Sequence, residues 1–164
     1  MFRPELDSGE QRAEEKLAEV EKARKRIKFK VRFDYKGKPK PARFFFGGKK
    51  TEDVAHECRE HQIARWRNVP FQGIAVESID PGEIYSIYDQ EMDEEIAFAP
   101  LELLVFADSL EDLLYFIFRE EFRRIEILEP SSILLGNKEI EKLLFRMNEL
   151  LQTKLLFYSR ELGR

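Results

Sequence analysis

Both histidines and the only cysteine of the chain fall in one segment, His56-Glu57-Cys58-Arg59-Glu60-His61. The segment approaches the HExxH pattern of zinc hydrolases, but its second His comes five residues after the first instead of four. At 100° per residue the two imidazoles then point about 140° apart around a helix and cannot share one ion. Cys58 and His61 do share a face, yet they give two ligands where zinc needs three or four. No metal site is expected, only a solvated helix face with one buried Cys. Gly47-Gly48-Lys49-Lys50-Thr51 sits between a strand pattern and a helix start, where free backbone N–H groups and two ammonium groups would suit an anion. It is not a P-loop, because Arg43 occupies the upstream Gly position and Lys50 precedes the Thr. The acidic run Asp89, Glu91, Asp93, Glu94, Glu95 lacks the Gly and the terminal Glu of a calcium loop. No G-x-S-x-G elbow is present, and plentiful carboxylates single out no desolvated pair. This inventory argues against most enzymes and names no catalytic residue and no cofactor; a carboxylate pair in a cleft is the one enzymatic alternative.

Charge is more informative. Residues 22–50 hold thirteen Lys or Arg and one acid, Asp34, whereas residues 69–118 hold twelve Asp or Glu and no Lys or Arg. The net charge of −4 conceals that division. Lys28, Lys30 and Arg32 on one strand face, with Lys36, Lys38, Lys40 and Arg43 in the following turn and Lys49 and Lys50 beyond it, form a stripe able to contact phosphates. Binding of nucleic acid by the hairpin of residues 26–43 is therefore a second reading. Against it, the strand's aromatic residues alternate to the face opposite the lysines, so no stacking platform forms there. Complementary contact between the basic and acidic blocks, within a chain or between copies, is an equal explanation.

The elements that must position these residues follow from periodicity. Residues 9–26 read as a polar, exposed helix, and 27–164 as a single domain. Ile27, Phe29, Val31, Phe33 and Tyr35 alternate with Lys28, Lys30, Arg32 and Asp34, the pattern of a half-buried strand. Ala42–Phe46 reads as a returning strand. Thr51 is expected to cap a helix reaching about Arg67. Ile74–Asp80 and Ile84–Asp89 read as a hairpin turned by Asp80-Pro81-Gly82-Glu83. Ile96–Ala107 is a strand pattern with a potential break at Pro100, and Gln90–Glu95 an acidic loop. Ser109 with Asp112 begins an apolar, buried helix to Phe118, Arg124–Leu128 is a strand, and a last helix covers about 138–158. The resulting class is α+β, with an inner β-α-β-β-α-β order that fits a ferredoxin-like core carrying an extra N-terminal hairpin strand, a polar N-terminal helix and a long C-terminal helix.

The last helix carries a wide apolar arc, with Phe145 and Phe157 beyond it and Leu150 within it. Those residues are the expected contact with a partner protein or a second copy. With 43% hydrophobic residues and fourteen Phe a real core is available. No apolar run approaches the ~20 residues of a membrane span. A lone Cys and an N-terminus without an apolar run suit a soluble, cytoplasmic protein.

From Phe106 onward the chain resembles the C-terminal WCX module of WYL-domain transcriptional regulators. The residues that carry the likeness are Asp108-Ser109-Leu110-Glu111-Asp112-Leu113-Leu114, the apolar helix to Phe118, Arg124-Ile125-Glu126-Ile127-Leu128-Glu129-Pro130 and the closing helix, about 50 residues in all. There is no winged-helix segment and no Trp-Tyr-Leu tripeptide; the single Trp is Trp66. The resemblance implies a ferredoxin-like core and a regulatory or assembly role without catalytic residues. Phe106–Leu114 is also similar, over a shorter stretch, to a segment of SUKH-type immunity proteins. Non-enzymatic regulation or protein interaction is the leading expectation.

Overall fold

A computed structural model describes residues 26–38 and 48–162, together with the isolated positions Arg12 and Lys16. The polar helix expected over 9–26 lies, apart from those two positions and Arg26, which is not helical, outside the described residues, as do Ala42–Phe46, Lys40 and Arg43. The described elements are β1 (Ile27–Gly37), α1 (Thr51–Asn68), β2 (Ile74–Pro81), β3 (Tyr85–Asp89), β4 (Glu94–Ala107), α2 (Leu110–Ile117), β5 (Phe122–Glu129) and α3 (Asn137–Leu162). They form an α+β domain, a five-stranded antiparallel sheet with three helices.

The sheet runs β2-β4-β1-β5, with β3 also on β4. The 14-residue β4 is the organiser. One side pairs with β1 from Ala97↔Gly37 to Ala107↔Ile27. Its other side pairs first with β3, from Glu94 to Phe98, and then with β2, from Leu101 to Ala107. β2 and β3 are therefore two halves of one edge, laid end to end, and not the two arms of a hairpin. The expected Pro-Gly hairpin turn is instead the gap between them. Proline at position 100 fits that gap, because a residue without an N–H is tolerated where no neighbouring strand asks for one. The Pro100 carbonyl still accepts from Gly82 N at 3.1 Å. β4 thus passes through Pro100 unbroken. The real chain reversal is Gln90–Asp93, held by the Asp89 carboxylate, which accepts from Glu91 N and Met92 N, and by Asp93 at φ 54°.

Alternation places the core. Phe29, Val31 and Phe33 of β1 and Leu101, Leu103 and Val105 of β4 are fully buried beneath α1 and α2. Trp66 of α1 stacks on Phe116 of α2 with ring centroids 5.3 Å apart, and Phe29 meets Phe116 edge to face at 5.2 Å. Such pairs contribute roughly 0.5–1.5 kcal/mol each beyond their area. α2 begins with the expected capping box, Ser109 Oγ accepting from Asp112 N and the Asp112 carboxylate accepting from Ser109 N. α1 differs from expectation: its N-cap is Lys50, with no side-chain cap, so Thr51 is the first helical residue and caps nothing.

Candidate functional site

Helices cover one face of the sheet. The other face carries Lys28, Lys30 and Arg32, as the alternation requires, and the registers decide what surrounds them. Lys30 faces Leu104 and Glu126, and Arg32 faces Glu102 and Arg124. Lys28 pairs with Glu77 of β2 at 3.3 Å and lies over the Phe106 ring at 5.1 Å. Lys30 pairs with Glu102 at 3.4 Å, and Arg124 reaches the same carboxylate at 3.2 Å. Burial pushes the Glu102 carboxyl up, but the hydrogen bonds and charges of Arg124 and Lys30 outweigh it and hold the group below the usual carboxylate range. The basic and acidic blocks of the sequence are thus joined across neighbouring strands of one sheet.

Asp34 is the most constrained charge on that face. Its side chain is 4% exposed, although it occupies a position that the alternation assigns to solvent. It accepts from Arg32 Nε at 2.9 Å, Arg123 Nε at 3.3 Å and Tyr85 Oη at 2.8 Å. The hydrogen bond to Asp34 raises the Arg32 pKa; burial, then that hydrogen bond, raises Tyr85. Tyr85 stacks on Phe98 at 5.4 Å and Arg123 lies over the same ring at 5.5 Å. Asp34 accepts from side chains of three strands, which makes it a clamp between β1, β3 and β5.

The other expected site residues disperse. Lys36, Lys38, Lys49 and Lys50 are exposed, and Lys49 pairs with Glu57. Lys36 and Lys38 line a cavity of about 550 Å³ at the end of β1 together with Arg123, Asp34, Glu120 and Glu121, an even mixture of charge. Cys58 also borders that cavity and is exposed, contrary to the buried Cys expected of this helix. Among the described residues no three His, Cys, Asp or Glu side chains gather as metal ligands. Arg59, on the inner face of α1, donates to the carbonyls of Gly82 at 2.6 Å and Pro100 at 3.2 Å, filling the gap between β2 and β3 from the helix side. In the core, burial pushes Tyr35 up to about 12.

α3 has a different character. Among its described side chains only Leu143, Met147, Leu150 and Lys154 are half-buried, and the helix packs chiefly on α2. Leu150 borders a small cavity with Tyr115 and Phe71. Eight large apolar side chains of α3, including Phe145 and Phe157, are 40–65% exposed. Among the described residues no helix is long and apolar enough to cross a membrane. Comparison with family models, with curated proteins and with solved structures finds no match for this chain.

Proposed function

We propose that this chain is a non-enzymatic interaction or regulatory module that self-associates or docks on a partner protein through α3. The observation that carries the reading is the exposure of eight large apolar residues on one 26-residue helix. With roughly 200 Å² for each such side chain when fully exposed, they present on the order of 850 Å². Five of the eight share one face and make a patch on the order of 500 Å², and a patch of that size on a monomer is often a functional one. Nucleic-acid binding is the weaker reading, because Lys28, Lys30 and Arg32 each have an acid within 3.4 Å, and a neutralised lysine releases few counterions from a phosphate backbone. Counting β2 and β3 as one interrupted strand, the order of elements supports a ferredoxin-like core. The sequence α2-β5-α3 supports a kinship in role with the WCX-type regulator module.

Light scattering coupled to size exclusion, across a salt and concentration series, tests the reading. The expected result is a mass above the 19.5 kDa of one chain, or a captured protein, with Leu151→Glu/Leu155→Glu abolishing either one. A strictly monomeric protein that retains nothing the double variant does not also retain overturns it.

A further inference from the structure

We infer that the occupant of the exposed α3 face is the α3 of a second copy, lying parallel and in register with the first. The inference rests on the interaction reading above and makes it specific.

The argument begins with the apolar pattern. Ile140, Leu144, Leu151, Leu155 and Tyr158 fall within an arc of about 60° at 100° per residue. Leu144, Leu151 and Tyr158 recur every seven residues, the spacing of a two-helix seam. All five are exposed, about half of each on average. Their burial would remove on the order of 500 Å² per copy, hence about 1,000 Å² in a pair, the lower limit for a specific interface.

Self-pairing places each residue beside its own kind, so it requires a flank without repeated like charge. The outer flank of this seam is Glu141, Asn148, Gln152 and Ser159, with one charge in four. The lysines and arginines of α3 lie elsewhere: Lys138, Lys142, Arg146 and Arg160 are on the far side, and Lys154 donates to the Phe118 carbonyl at 3.4 Å. A helix evolved to meet a charged partner of another kind would place its charges along the seam instead.

Direction follows from where the rest of the domain attaches. The half-buried residues Leu143, Met147, Leu150 and Lys154 centre about 70° around the helix from the exposed seam. A twofold axis parallel to the helices puts the two domains on opposite sides of the helix pair. An antiparallel pairing puts both on the same side, attached over nearly the same stretch of helix, where they would collide. The isologous parallel arrangement is the one that closes without that clash.

Disulfide trapping tests this in the full chain carrying Cys58→Ser, which removes the exposed native thiol. Leu144→Cys and Leu151→Cys should each form a disulfide-linked dimer under mild oxidation, because equivalent seam positions of parallel helices lie within disulfide reach. Arg146→Cys, on the opposite face, should not. Leu151→Glu should weaken the dimer at least about tenfold by light scattering, with unchanged helical circular dichroism. Trapping at 151 without trapping at 144 means an antiparallel pair and overturns the inference. So does a monomer that engages a different protein through α3, although the interaction reading then survives. A monomer that engages nothing overturns both.

Discussion

Gly37 ends β1 against the first turn of α1, and its replacement by Ala is the sharpest test of how the helix sits on the sheet. A Cβ at position 37 would lie 2.1 Å from the Thr51 carbonyl oxygen, 2.5 Å from Ala55 N and 2.9 Å from Ala55 Cβ. Carbon–oxygen contacts normally stop near 3.3 Å, so strand and helix would have to part by roughly 1 Å. Two of the three obstructing atoms are backbone, so no rotamer change relieves the overlap. The same helix delivers Ala55, Ile63 and Trp66 to the core, and displacing it loosens all three. Overpacking costs about 1–3 kcal/mol, and a clash against backbone belongs at the upper end. For a chain of 164 residues that is a fall in Tm of roughly 6–12 °C. Thermal unfolding followed by circular dichroism reads it. Two internal controls calibrate the series. Gly136→Ala meets only Glu139 Oε2 at 3.6 Å and should be near neutral, while Gly82→Ala, 3.1 Å from Pro100 Cβ, should fall between. A Gly37→Ala protein melting within about 2 °C of wild type would refute the close approach and with it the stated seating of α1.

Other outcomes follow from contacts already described. Ser109→Ala removes the hydroxyl arm of the capping box, leaving Asp112 N without its Oγ acceptor, and should cost about 1 kcal/mol in urea unfolding. Phe116→Ala, fully buried between Phe29 and Trp66, should cost about 3–5 kcal/mol by the same assay. Glu102 has a folded pKa below its unfolded one, so its contribution is complete above about 4.3 and is lost as pH falls through the folded value. Glu102→Gln should flatten that part of the acid stability profile, by less than about 1 kcal/mol because the pair is partly solvated. The triple reversal Lys28→Glu/Lys30→Glu/Arg32→Glu should leave RNA and DNA retention in a filter assay at the background level of wild type; strong wild-type binding that the variant loses would revive the nucleic-acid reading.

Local signals carried the fold where the deciding partner was also local. The alternation of residues 27–35 sets β1 because each apolar residue needs only a covered face, and Ser109 with Asp112 sets the start of α2 because both halves of the capping box lie within three residues. The signal misled where a distant strand decided. Pro81-Gly82 carries strong turn chemistry, yet β4 offers pairing to both β2 and β3, and that ladder outweighs a two-residue preference. The Gln90–Asp93 reversal was hidden because an Asx turn made by Asp89 reads in sequence as one more acid in an acidic loop. Asp34 follows the same logic. Its position in the alternation assigns it to solvent, and its burial depends on Tyr85 and Arg123, 51 and 89 residues away. The width of the α3 apolar arc was legible; that nothing within the described domain covers most of it depends on how few elements reach that side of α2. Cys58 was expected inside because thiols are usually buried, whereas α1 turns Ala55, Arg59, Ile63 and Trp66 inward and leaves it out.

The interruption between β2 and β3 has a consequence for life at high concentration. A straight edge of sixteen residues, from Ile74 to Asp89, would be a ready template for a neighbouring chain to add strand upon strand. The Pro81-Gly82 gap divides it into pieces of eight and five residues, and Glu77 adds a second irregularity, where the register shifts between Val76 and Ser78. Short, kinked edges with exposed acids are poor seeds for cross-β growth. The same proline and glycine that do not make a turn thus guard a Phe-rich sheet against aggregation along that edge.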